Sequence, residues 1–156
     1  MLRGEFIRGD GLVVPNNITT YGVECLLRWA LQGATPTLHM ALANCAPAID
    51  LDLTNLGEPV IGTNGYARQP IAQDNVDWPT FGTLNGEAYL ETKEFIFTAT
   101  GGNFSAAVGR IALVNSLAAT TGELVVALSN PFPAELLIGP GTPVEQRTFK
   151  YRIHGR

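Results

Sequence analysis

Few residues in this chain are of a type to do acid–base or nucleophilic chemistry, and they are scattered. Catalysis near neutral pH most often recruits histidine, whose ordinary pKa of about 6.5 lets it hold or release a proton there. Only two are present. His39 falls in an alternating apolar segment and His154 lies close to the C-terminus; neither is near a serine, cysteine or aspartate in a nucleophile motif, and no Gly-x-Ser-x-Gly elbow occurs. Glu87, Glu91 and Glu94 share one region and Asp74 and Asp77 another, as paired carboxylates for glycoside hydrolysis would. On a strand, however, Glu87 and Glu91 point the same way, a spacing that equally suits a polar outer face. Asp50-Leu51-Asp52-Leu53-Thr54 begins like a calcium loop, but Asn55 stands where such a loop needs glycine and Ile61 where it needs a bidentate glutamate. Gly139-Pro140-Gly141-Thr142-Pro143 alternates with proline, and no lysine or Ser/Thr-headed helix completes a phosphate cradle. The expectation is a protein that is not an enzyme and holds neither metal nor cofactor.

The elements that position these residues are bounded by composition. A chain of 156 residues with 46% apolar content builds one domain with a real core. Charged residues make up only 15%, against roughly 25% in soluble globular proteins, so part of the surface is expected to be covered by another protein chain. A net charge of −4 argues against a nucleic-acid partner, whose phosphates would be met by Lys and Arg. The C-terminus is the local exception, because Arg147, Lys150, Arg152 and Arg156, with His154, put four of ten basic residues into the last ten positions. Two readings stand: a contact with an acidic partner surface, or a strand whose outer face is cationic and solvated. Cys25 and Cys45 lie in no CxxC arrangement; a disulfide is one option and a pair of free buried thiols is favoured, since a chain of this size needs no crosslink. No apolar run is long enough for a membrane span and no signal sequence opens the chain, so a soluble product made in a cytoplasm is expected. The glycosylation triplets at Asn17 and Asn103 are then chance matches.

Glycines and prolines punctuate the chain. Residues 1–18, with Gly4, Gly9, Gly11 and Pro15, read as an extended arm with at most a short strand near Leu12 to Val14. A helix follows over 20–32, capped by Thr19 or Thr20 and ended by Gly33, with Val23, Leu26, Leu27, Ala30 and Leu31 as its core-facing stripe and Glu24, Arg28 and Gln32 opposite. After Thr35-Pro36, Leu38, Met40 and Leu42 alternate with Thr37, His39, Ala41 and Ala43 as a strand. A loop of about twenty residues containing Pro47, Gly57 and Pro59 leads to a tight turn at Asn64-Gly65. Further strands are expected from Tyr66 to Gln73, Ala88 to Thr98, Ala107 to Val114 (covered on both faces), Glu123 to Ser129, Ala134 to Ile138 and Arg147 to Ile153. Strands separated by turns, not helices, argue an all-β domain over 19–156, an antiparallel β-sandwich of jelly-roll or Greek-key type with one N-terminal α-helix.

Gly65-Tyr66-Ala67-Arg68-Gln69, Trp78, Phe95-Ile96-Phe97-Thr98-Ala99, the Ala107–Val114 strand and Gly122-Glu123-Leu124 together resemble small structural virion proteins of tailed bacteriophages across roughly residues 60 to 130. The chain departs from that pattern at Phe104, where tryptophan is more common. The resemblance implies a capsid decoration (cement) protein on the outer surface of the head, with the major capsid protein and further copies of itself as partners, a trimer being expected. It implies no nucleic-acid and no membrane contact. A tail adaptor or fibre-associated protein is the alternative, and a carbohydrate-binding jelly roll using Tyr66, Trp78 and Tyr89 as stacking platforms is a third reading. In the first of these, Arg3, Phe6, Ile7 and Arg8 of the arm reach the shell or a neighbour, with Arg152, His154 and Arg156 as a second contact. Removing residues 1–14 should then leave a folded domain that no longer joins particles.

Overall fold

The opening residues, expected to be an arm, are part of the central sheet. In the computed structural model, which describes residues 2–34, 37–46, 51–122 and 124–155, β1 (Leu2–Arg8) and β2 (Val13–Ile18) form an antiparallel hairpin. The glycines that suggested a mobile segment serve close packing instead. A side chain on Gly4 would meet the Tyr151 hydroxyl at 2.2 Å and the Asn16 side chain at 2.4 Å. Phe6 and Val14 alternate inward and are buried, so the hairpin contributes to the core.

The remaining elements are α1 (Thr20–Gln32), β3 (Leu38–Ala43), a 3-10 turn at Leu53–Asn55, β4 (Gln69–Ile71), β5 (Thr80–Leu84), β6 (Glu87–Glu91), β7 (Phe95–Ile96), β8 (Arg110–Val114), β9 (Val125–Ser129), a 3-10 turn at Val144–Gln146 and β10 (Thr148–Gly155). Among the described residues the domain is mainly β, with antiparallel pairing and one α-helix. Its strands follow the continuous order β4-β3-β8-β9-β2-β1-β10-β6-β5, with β7 pairing beside β6 on β10. The sheet curls: Met40 and Ile111 near one end share a single apolar cluster with Phe6, Phe95 and Tyr151 of the other half.

Several expected strands are shorter than their apolar runs. Tyr66 to Gln73 narrows to β4, because the Tyr66 backbone is used by the preceding turn, its N–H donating to Thr63 and its carbonyl accepting from Gly62. Ala88 to Thr98 breaks into β6 and β7, and between them Thr92 and Lys93 hydrogen-bond to Tyr151 and Asp77. Around Leu136 a single bridge to Val108 replaces a strand. The turn at Asn64-Gly65 forms as expected, with φ of 51° and 81°, and Asn85-Gly86 closes the β5–β6 hairpin in the same way with φ of 52° and 77°. Met1, Thr35, Pro36, Pro47, Ala48, Ile49, Asp50, Glu123 and Arg156 lie outside the described residues.

The middle of the sheet is covered on both faces. Leu38, Met40 and Leu42 of β3 join Ile111 and Leu113 of β8 in the main cluster, while Ala41, Ala43, Ala112 and Val114 face a second cluster closed by Leu51, Leu53 and Leu56 of the long loop. That loop is held by Asp52, whose carboxylate caps the 3-10 turn at Thr54 N (2.7 Å) and accepts from Gly122 N across the molecule. What looked like the start of a calcium loop is thus a structural cap, its other carboxylate, Asp50, lying outside the described residues.

β1 makes seven registered pairs with β10 and four with β2, and Phe6 is 1% exposed. Burying such a side chain contributes about 1.5–3 kcal/mol, and stranding its partners costs more. Removing residues 1–14 is therefore expected to abolish the cooperative unfolding transition, followed by circular dichroism in urea. A truncated chain that unfolds cooperatively near the intact midpoint would restore the detachable arm.

Candidate functional site

The Gly-Tyr-Ala-Arg block supplies a buried polar lock. Arg68 is 2% exposed, and its guanidinium grips Glu58 twice, Nε to Oε1 at 2.9 Å and Nη2 to Oε2 at 2.6 Å. It also donates to the carbonyls of Ser116 (2.8 Å) and Ala119 (2.9 Å) in the β8–β9 connection. Tyr66 donates to Glu58 at 2.5 Å and accepts from the Leu42 amide of β3 at 3.1 Å. Burial, with the Glu58 charge beside it, raises the Tyr66 pKa well above 10.0, which keeps the phenol a donor. His39 sits nearby on β3, its Nδ1 2.8 Å from the Thr37 carbonyl. Burial holds its pKa below 6.5; the Thr37 carbonyl opposes this and the Arg68 charge adds to it.

On the outer face of β1, β10 and β6 the cations of the C-terminal strand lie in register with carboxylates. Arg152 stands between Glu5 and Glu91 and bonds both, at 2.7 and 2.6 Å, with its guanidinium 5.1 Å from the Tyr89 ring centre. Lys150 also reaches Glu91, and His154 Nδ1 lies 2.8 Å from Glu87. Arg8 is held by Asp10 at 2.7 Å and lies over the Phe132 ring. These contacts are structural ties within the sheet. Of the residues expected to meet a partner, Phe6 is in the core, Ile7 and Arg8 are half-buried, Arg3 is exposed, Arg152 is half-buried in ion pairs and His154 is half-buried against Glu87. Tyr66 and Trp78, offered as sugar platforms, are buried, with Trp78 packed edge-on to Tyr151.

Part of the exposed apolar surface lies on α1, where Val23, Leu27 and Leu31, expected to face the core, turn to solvent beside the exposed Glu24 and Arg28. Thr19 caps the helix through Gly22 N (2.9 Å) and donates to the Val125 carbonyl, seating the N-terminus on β9. Gly22 makes that approach, since a Cβ there would lie 1.9 Å from the Val126 carbonyl oxygen. The inward residues are Gly22 and Cys25, with Trp29 leaning on Trp78 at 6.5 Å. Val23, Leu27 and Leu31 point outward, at 47%, 52% and 80% exposure. Between α1 and the β1–β2 hairpin runs a groove of about 540 Å³, lined by Leu2, Asn16, Ile18, Leu26 and Leu27 among others. Reading the leucine stripe as core-facing missed this surface; the signal that identifies it is the glycine in the first turn.

Both cysteines are free thiols. Among the described residues no group of three or more His, Cys, Asp or Glu is placed to hold a metal ion, and no helix is long and apolar enough to cross a membrane. No protein-family model and no curated protein matches the chain.

Two measurements test the lock. Arg68→Met leaves the Glu58 carboxylate buried without its cation and is expected to cost about 3–5 kcal/mol in urea denaturation, whereas Glu58→Leu combined with Arg68→Met recovers much of that loss. Additive losses would mean that the two side chains do not act as a pair. The unfolded chain takes up a proton on His39 near pH 6.5 while the folded chain resists it, so this contribution to stability is complete above that pH and declines as pH falls. Urea midpoints measured from about pH 7.5 down to about pH 5.5 should fall less for His39→Gln than for the parent chain; parallel slopes would refute the assignment.

Proposed function

We propose that this chain is a capsid decoration protein of a tailed phage, a non-catalytic subunit that binds the outer surface of the major capsid protein shell and stabilises the head. The observation that carries the reading is how charge is distributed. Among the described residues, thirteen large apolar side chains are exposed, including Leu31 at 80%, Phe81 at 77% and Val76 at 67%. Meanwhile Arg8, Arg28, Arg68, Lys93, Lys150 and Arg152 are all engaged by carboxylates of the same domain. Of the exposed apolar side chains, Leu2, Val23 and Leu27 line one groove, an apolar surface suited to cover by protein, and the engaged cations make the exterior a poor match for nucleic acid or anionic lipid. The virion assignment itself rests on the sequence resemblance around Tyr66-Ala67-Arg68-Gln69. We read the curled sheet as a jelly-roll-like sandwich, because its two halves enclose one apolar cluster.

The mechanism is thermodynamic. A subunit that buries surface on two neighbouring shell proteins at once raises the cost of separating them, and self-association multiplies the effect through effective concentration. The test mixes the purified chain with heads of the same phage lacking it. Saturable binding in numbers comparable with the shell subunits, and greater resistance of the filled heads to heat, are expected. Binding confined to tails would transfer the protein to the tail-adaptor role, and binding to neither would overturn the virion reading.

A further inference from the structure

We propose that the outward ridge of α1 seats a second copy of this chain, the two helices crossing antiparallel about a two-fold axis. The helix is apolar nearly all round. Its inner side rests on β9 through Gly22 and Cys25, and its outer side presents Val23, Leu27 and Leu31; Glu24 and Arg28 are its only charged residues. A helix with two apolar sides is stable in water when both are covered, and in this chain the sheet covers one.

Shape and charge both select a copy of itself. Val23, Leu27 and Leu31 follow one another at four-residue spacing, the row that interdigitates with its equivalent when two helices cross at about −50°. The groove of about 540 Å³ lies on one side of this ridge, and a hollow of about 530 Å³ over Thr20, Leu27 and Arg28 on the other, so each copy offers a ridge and the depressions to receive one. Glu24 and Arg28 border the ridge with side chains 57% and 60% exposed, bonded to each other at 2.7 Å. In an antiparallel pair each Glu24 faces the partner's Arg28, and each Arg28 the partner's Glu24; a parallel pair sets like against like. The surface is therefore self-complementary, as a two-fold contact requires. A lipid surface fits poorly, since the helix carries no row of basic residues to meet headgroups.

This inference rests on the assembly reading, sets a two-fold pair in place of the trimer that the resemblance implies, and needs no shell. Its test uses the full chain alone in solution, so failure to dimerise and failure to bind a head are separate results. Sedimentation equilibrium should give a dimer that dissociates on dilution. Leu27→Glu, and independently Leu31→Glu at the most exposed position of the helix, should be monomeric with unchanged circular dichroism. Glu24→Arg alone and Arg28→Glu alone should each dimerise less, while an equimolar mixture of the two recovers association, with a Kd lower by about tenfold than either variant alone. Phe81→Ser on the sheet edge should leave the dimer intact. A parent chain that is monomeric throughout or forms trimers overturns the proposal. So does a Leu27→Glu or Leu31→Glu chain that still dimerises, a mixture with no recovery, or a dimer dissolved by Phe81→Ser.

Discussion

A guanidinium cannot lose its proton at accessible pH, so a buried arginine forces its surroundings to supply acceptors for its fan of N–H groups. In this domain Arg68 meets that demand with Glu58 from the long loop and two carbonyls from the β8–β9 connection. Tyr66 extends the network to the backbone of β3. Segments distant in sequence thus converge on one charge pair, and the loop that closes the second apolar cluster over β3, β8 and β9 is anchored at the same point. The pair acts mainly on specificity: its desolvation cost limits any net gain in stability, but a loop placed elsewhere would strand a charge in a medium that cannot solvate it.

The same economy governs the other charges. Cross-strand register aligns Glu5, Arg152 and Glu91 in one row over β1, β10 and β6. Asp77 accepts from the Ala72 amide and pairs with Lys93. In a chain with 15% charged residues, ions used to align strands and tie loops are not spread as a solvating layer, and the remaining exterior is correspondingly apolar. Both histidines are tied within the fold as well: His39 lies against the Thr37 carbonyl and His154 against Glu87.

The helix shows how one small residue redirects a surface. With Gly22 against the Val126 carbonyl and Thr19 bonded to the same strand, α1 lies too close to β9 for a row of leucines to fit between them. Val23, Leu27 and Leu31 occupy the outer face, Gly22 and Cys25 form the seat, and Trp29 reaches past the seat to Trp78. Hydrophobic periodicity alone turns Val23, Leu27 and Leu31 to the core, because it records which residues share a side of a helix and not how near the helix comes to its support.

Local chemistry was legible in the residue order. The Asn64-Gly65 turn, the threonine cap and Gly33 stop of α1, the alternation in β3, and the doubly covered β8 all follow from short-range patterns of φ preference and period. Only the folded chain decided that residues 2–18 belong to the sheet, since their partners β9 and β10 lie more than a hundred positions away and glycine content signals close packing and mobility alike. It also decided that Tyr66 and Arg68 point inward and that the cations of β10 face carboxylates from β1 and β6. Sequence order records neighbours along the chain, whereas burial and ion pairing depend on distances that exist only after distant segments have met.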